Sequence, residues 1–311
     1  MFERKILSED DIRVSVFIVG ATKSGTTALY HYLSQSPDLY FAETKELQYF
    51  CRDIRERNPV NRVRDFQHYH DLFSDACENQ IKVDASPQYL FSKSSAAEIA
   101  DYNPEAKIIA ILRNPVDMVY SLHSQLLHVG IEKEENFEKA IRRSMSLYRE
   151  QPLSETDTVD KLRYIERALY SEQIQRFLSV FPTESVRVYL YDDLKKDTGS
   201  LLEDVFGYLD VAALDSIDTQ VVNANKKVKN RLVHKLYMER PGGLGKLWRS
   251  LPSGPKQAVK RFLMNRNTEN STREPMESGL RAELSGIFES DIAALEKLIG
   301  RSLGDWRAAA E

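Results

Sequence analysis

The stretch FIVGATKSGTT, Phe17 to Thr27, carries the residue types that grip an oxyanion. Gly20 and Gly25 have the spacing of a phosphate-binding loop of the form G-x-x-x-x-G-K-[ST], and Thr27 fills its last position. The lysine, however, is displaced. Thr26 follows the second glycine, and the loop's lysine is Lys23, three positions early. Loop amides and a helix N-terminus near Thr26 still favour an anion. In a nucleotide triphosphatase the lysine reaches the outer phosphates, the hydroxyl holds Mg²⁺, and an aspartate at a second strand end helps hold the metal. Here the comparable strand, KIIAIL, ends in Arg113. A cation at that point describes a site that neutralises phosphate with protein charge and requires no metal.

These residues need strands and helices to hold them. VSVFIVG, Val14 to Gly20, has the β-branched, apolar character of a buried parallel strand. Leu29, Tyr32 and Leu33 follow at helical spacing, and Pro37 lies beyond them. IKVDAS, Ile81 to Ser86, reads as a short strand ending in a polar turn. AKIIAILRNP, Ala106 to Pro115, holds a second buried strand, with a helix starting at Pro115, where the missing N–H costs nothing. The spacing predicts one long helix over Thr158–Phe181, with Leu162, Ile165, Leu169 and Ile174 near one side. It predicts a strand over Ser185–Leu194, a helix over Gly199–Leu209 and a closing helix over Gly279–Ile299. Strands alternating with helices give an α/β fold: a P-loop-like three-layer sandwich with a central parallel sheet flanked by helices. Ligands of such sheets bind at the carboxyl ends of strands, where the glycine loop and Arg113 meet.

Composition bounds the partners. The 311 residues carry a net charge of -4, which argues against a nucleic-acid partner. Two cysteines, Cys51 and Cys77, suit reduced thiols in a cytoplasmic protein. MFERKILSEDD lacks the apolar core of a signal sequence, and no apolar run is long enough to span a membrane. From Lys226 to Arg266 twelve Lys or Arg accompany one acid, Glu239, a net +11 that leaves -15 for the rest. That segment reads either as a solvated surface or as one facing an anion. GKLWRSL, Gly245 to Leu251, fits a core-facing helix or, second, a membrane-surface contact. The expectation is one domain over 1–311 with a basic segment, a candidate for mobility, around 223–275.

ATKSGTTALYHYL and LRNPVDMVYSLHSQ together resemble the two donor-binding motifs of sulfotransferases that use 3′-phosphoadenosine 5′-phosphosulfate (PAPS). Weaker similarity runs through VRVYLYDDLKKD to the C-terminal LGDW, and KELQYF points to the bacterial and heparan-type branch. The resemblance implies that Lys23, Ser24, Gly25, Thr26 and Thr27 hold the 5′-phosphosulfate, with Lys23 stabilising the leaving oxygen. It places Arg113 and Ser121 on the 3′-phosphate. It sets Tyr191 against the adenine, where a core aromatic is the competing reading, and Asn225, Lys226 and Lys227 near the 3′-phosphate. Sulfuryl transfer to a hydroxyl, or second to an amine, of a small molecule, lipid or carbohydrate would leave adenosine 3′,5′-bisphosphate (PAP). No nucleic acid and no metal is called for.

The acceptor needs a base. The resemblance assigns Glu46 of KELQYF, with Lys45 beside it. A glutamate with a pKa of about 4.3 in water needs positioning and partial burial to serve. His31, His123 and His128 are rival bases, and Gln125 and His128 are candidates to line the cleft. Relatives often have a lysine in the next motif, where this chain reads Asp84-Ala85-Ser86-Pro87. Either Lys45 supplies that charge or the acceptor chemistry differs. Ser86, Gln88 and Tyr89 are candidate acceptor contacts. His68 and His70 would share a face of a strand, but no further His/Cys cluster joins them to make a metal site. Two other functions compete: a metal-dependent nucleotide kinase or phosphatase with a degenerate loop, for which Asp84 is the metal-ligand candidate, and a non-catalytic nucleotide- or glycan-binding protein.

Overall fold

The computed structural model describes residues 13–55, 63, 65–150, 162–214, 216–219, 226–228, 268–270 and 275–308. In chain order the elements are β1 (Val16–Gly20), α1 (Thr26–Leu33), β2 (Leu39–Phe41), α2 (Arg52–Arg55), α3 (Phe66–Asp71), β3 (Ile81–Ala85) and α4 (Ser95–Tyr102). Next come β4 (Lys107–Leu112), α5 (Pro115–His128), α6 (Phe137–Glu150), α7 (Tyr164–Arg167), α8 (Tyr170–Leu178), β5 (Val186–Leu190), α9 (Tyr191–Lys196) and α10 (Thr198–Leu209). A short antiparallel pair, β6 (Lys226–Val228) with β7 (Thr268–Asn270), precedes α11 (Ser278–Ile299) and α12 (Gly304–Ala308).

The main sheet has strand order β2-β3-β1-β4-β5, with every pairing parallel. β1 and β4 lie inside it and are apolar on both faces, because neither face meets water. Alternate residues feed two cores. Val16, Ile18, Ile109 and Ile111 pack under α1 and α10. Phe17, Val19, Ile108, Ala110 and Leu112 pack under α4, α5, α8 and α11. This is the three-layer sandwich that the alternation of patterns implies. The order places β1 between β3 and β4, so the chain leaving β1 faces loops from both neighbours.

Three local expectations need correction. The long helix over Thr158–Phe181 is two helices within its described part. Leu169 is extended (φ -84, ψ 90), and α8 restarts at Tyr170. The Asp291 carboxylate on α11 accepts from the amides of Tyr170 (2.7 Å) and Ser171 (3.1 Å), a tertiary cap invisible to local spacing. The strand expected to run to Leu194 stops at Leu190, because Asp192 and Asp193 at its end favour a helix start and Lys195 and Lys196 a helix finish. His68 and His70 lie on α3, not a strand, and Asp65 caps that helix by accepting from the amides of Gln67 and His68. Among the described residues, no group of three or more metal-ligating side chains stands together, and no helix is long and apolar enough to cross a membrane. GKLWRSL and nearly all of the basic 226–266 segment lie outside the described residues.

Candidate active site

The glycine loop turns at Gly25, whose φ of 97° is left-handed. A Cβ there would stand 2.8 Å from Tyr191 Cδ2 and 3.0 Å from Leu194 Cδ2. Gly25 therefore serves two ends: it permits the turn and lets α9 press against the loop. Lys23 is also left-handed, with φ 63°. Arg113, at the end of β4, lies with its guanidinium 4.9 Å above the Tyr191 ring. Its Nη1 donates to the Lys23 carbonyl over a long 3.5 Å. The loop, the strand-end arginine and Tyr191 thus form one cluster at the carboxyl ends of β1, β4 and β5. Arg113 and Tyr191 are half-buried and Ser121 is buried on α5. Asn114 caps α5 by accepting from Val116 N at 3.0 Å, which fixes Arg113 at the bend.

The C-terminal LGDW closes this cluster from behind. Trp306 is buried, its indole N–H donates to Asp192 at 3.1 Å, and its carbonyl accepts from Asn114 Nδ2 at 3.1 Å. Arg301 grips Asp193 through both nitrogens, at 2.5 and 2.7 Å. The resemblance implies that Lys226 and Lys227 lie near the 3′-phosphate. Their backbone lies in β6, while Asn225 falls outside the described residues.

KELQYF docks on the same loop. Lys45 Nζ donates to Thr27 Oγ1 at 2.6 Å and lies 5.3 Å from the Tyr30 ring centre. Burial holds the Lys45 ammonium below the usual lysine range, against an opposing pull from Glu46. Glu46 is exposed rather than partly buried, and with φ 59° it is left-handed, as is Gln48 at φ 53°. Non-glycine residues pay roughly 1–2 kcal/mol for that conformation, so something must hold the segment.

The holder is Asp84, fully buried at the end of β3. Its carboxylate accepts from Ser86 Oγ (2.7 Å), Tyr89 Oη (2.7 Å) and Tyr69 Oη (3.1 Å). The acceptor sides of two of these hydroxyls then take the segment's amides. Ser86 Oγ accepts from Gln48 N at 3.0 Å, and Tyr89 Oη accepts from Tyr49 N at 3.0 Å and Phe50 N at 3.4 Å. Burial raises the Asp84 pKa to about 6 despite the three hydroxyl donors. Ser86 and Tyr89 are therefore committed to the scaffold, with no exposed surface for an acceptor. Gln88 remains half-buried and accepts from Arg167 Nη1 at 3.0 Å.

Two small clefts flank the loop. Tyr30, Thr44, Lys45, Glu46 and Asp84 line one. Ala21, Thr22, Phe91, Met118 and Arg167 line the other, where the Arg167 guanidinium stacks 4.4 Å over the Phe91 ring. Of the rival bases, His123 is buried against Phe137 and its Nε2 bonds the Glu134 carbonyl at 2.8 Å; burial holds its pKa down. His31 is half-buried on α1; on the last turns of α5, Gln125 is exposed and His128 half-buried. Sequence reasoning overlooks the anchoring role of Asp84 and the presence of Arg167. The signal for Asp84 was available: a carboxylate in an apolar strand needs donors, and Ser86 and Tyr89 stand two and five residues on.

A sulfotransferase domain model matches residues 13–262. The chain belongs to the sulfotransferase family. Its sheet and helices superpose on the sulfotransferase of Alicyclobacillus acidocaldarius with a TM-score of 0.68 at 28% identity, over 95% of this chain and 99% of that one. It is also 25% identical over 171 residues to a mouse heparan sulfate glucosamine 3-O-sulfotransferase, covering 55% of this chain and 46% of the relative. A bifunctional heparan sulfate N-deacetylase/N-sulfotransferase of Caenorhabditis briggsae is 22% identical over 94% of this chain and 31% of its own length. The chain spans less than half the length of these curated relatives.

Proposed function

We propose that this sulfotransferase uses PAPS and sulfates a hydroxyl, with an amine as the second choice, on a small molecule, lipid or carbohydrate. The site's residues fit that donor. The left-handed turn at Gly25 and the start of α1 offer amides to an anion, and Lys23 and Arg113 offer two cations joined through one carbonyl. When bound, PAPS supplies the sulfuryl group, which passes in-line to the acceptor oxygen as the S–O bond to the 5′-phosphate breaks and PAP is left. Lys23 and the loop amides stabilise negative charge on that phosphate. Arg113 and Ser121 take the 3′-phosphate, and Tyr191 stacks beneath Arg113 toward the base. Glu46 accepts the acceptor's proton. Because it is exposed in the free protein, the acceptor itself must cover it. Lys45 supplies the charge that the Asp84-Ala85-Ser86 turn lacks.

The observation that carries this reading is the 2.6 Å bond from Lys45 to Thr27, which joins the segment bearing the base to the donor loop. The metal-dependent kinase reading is disfavoured because three hydroxyls already occupy its aspartate, Asp84. We further read the chain as one domain over 1–311, working in a reducing, cytoplasmic setting, which suits Cys51 and Cys77 as thiols.

The test is release of PAP from PAPS in the presence of hydroxyl- and amine-bearing acceptors, with and without EDTA. Acceptor-dependent release that survives EDTA and falls about 100-fold or more in Glu46→Gln is expected, the scale of a general base. PAPS binding with no acceptor-dependent release from any compound favours the non-catalytic binder.

A further inference from the structure

Two hydroxyls beneath the donor loop are poorly used in the free protein. Ser24 has no exposed surface, and its Oγ donates to the Thr22 carbonyl over a long 3.4 Å. Hydroxyl bonds normally lie near 2.7–2.8 Å, so this contact is slack. Tyr170 is 1% exposed, and its hydroxyl has no hydrogen-bond partner. A buried hydroxyl in that state is unfavourable, and native proteins rarely carry one without a reason. The Ser24 hydroxyl and the backbone of Arg113 lie beside that hydroxyl. Tyr170 therefore sits where the glycine loop meets the strand-end arginine.

Its place is fixed from the far side. Asp291 on α11 caps α8 through the amides of Tyr170 and Ser171 and accepts from the Ser171 hydroxyl. The Tyr170 ring lies 6.3 Å from that of Trp306, in the C-terminal LGDW. The break before α8, which no helical spacing predicts, is what carries this side chain under the loop.

We infer that Tyr170 is a positioning residue of the donor site, acting through Ser24. An anion in the loop draws the Ser24 hydroxyl away from the Thr22 carbonyl to donate to a phosphate oxygen. Ser24 Oγ then accepts from Tyr170, and the two buried hydroxyls become a donor chain that ends on the ligand. Such chains strengthen each member by polarisation. The inference rests on the donor reading above, and its ligand class is a phosphorylated nucleotide with an anion at the loop. The unpartnered hydroxyl is a cost carried by the free protein and removed on binding.

Tyr170→Phe tests this by two readouts that a purely structural role would move differently. The variant deletes one oxygen and keeps the ring. Thermal unfolding of the free variant is expected at the wild-type midpoint or above it, because an unsatisfied hydroxyl is gone. PAP affinity by calorimetry is expected to fall about 5- to 10-fold, the size of one hydrogen bond. Ser24→Ala is expected to lose a similar factor, and the double variant no more than Ser24→Ala alone, since the tyrosine acts only through the serine. A lower midpoint with PAP affinity within twofold of wild type overturns the inference, as do additive losses in the double variant. In both cases wild-type binding leaves the donor reading standing. A wild type that fails to bind PAP overturns both.

Discussion

Removing one oxygen from Tyr89 should loosen the segment that carries Glu46 while leaving the donor cluster intact. Tyr89 has no exposed surface, and its hydroxyl makes three bonds: it donates to Asp84 at 2.7 Å and accepts from Tyr49 N at 3.0 Å and Phe50 N at 3.4 Å. In Tyr89→Phe the bond to a charged group is lost, worth about 1.5–3 kcal/mol, and a buried amide is left unsatisfied, at roughly 1 kcal/mol more. The ring stays, so no cavity adds to this. The sum is about 2.5–4 kcal/mol, which at roughly 2.1 cal/mol/K of unfolding entropy per residue lowers the midpoint of a 311-residue chain by roughly 4–6 °C. Calorimetric unfolding reads the shift directly. PAP affinity should stay within about twofold, because Tyr89 contacts neither Arg113 nor Tyr191, whereas acceptor-dependent turnover should fall as Glu46 loses its support. A midpoint within 2 °C of wild type would refute the reasoning, since it would mean that Asp84 and the 48–50 amides do not depend on this hydroxyl.

Three further outcomes follow from the same geometry. Asp84 binds its proton more tightly folded (pKa about 6) than unfolded (3.8), so its contribution to stability is full at low pH and is lost as pH rises through about 6. Over that window about 3 kcal/mol should disappear from the urea-unfolding free energy of the wild type relative to Asp84→Asn; a gap that does not change with pH contradicts the buried carboxylate. Gly25→Ala places a Cβ 2.8 Å from Tyr191 at a φ of 97°, and should weaken PAP binding at least tenfold by calorimetry while lowering the unfolding midpoint. Asp291→Ala removes the tertiary cap of α8, and should cost about 1–2 kcal/mol in urea unfolding and reduce PAP affinity, because the same contact aims Tyr170.

Much of the fold was legible because buried parallel strands announce themselves. VFIVG and KIIAIL are apolar on both faces, and the glycine loop and Arg113 mark their carboxyl ends. The clustering of Lys23, Gly25 and Arg113 follows from two motifs at neighbouring strand ends, and Tyr191 joins them from the end of β5. What escaped was decided by contacts distant in sequence. The stop at Ala168–Leu169 depends on a carboxylate more than a hundred residues later, at Asp291. Ser86 and Tyr89 have the polarity of acceptor contacts, yet their hydroxyls are taken by Asp84 and by amides from 48–50. Glu46 was readable as a residue type, whereas its exposure depends on a left-handed backbone that local spacing does not encode.

The most direct test of the central claim, a donor site that binds phosphate with protein cations, is calorimetric titration of PAP in excess EDTA. It should be run on the wild type, Lys23→Ala and Arg113→Ala. Wild-type binding that EDTA leaves unchanged is expected, with a loss of about tenfold or more in Arg113→Ala, which removes a charge-assisted contact. A smaller loss is expected in Lys23→Ala, whose charge is proposed to act on the leaving oxygen. Binding that needs Mg²⁺, or that ignores Arg113, would contradict that claim.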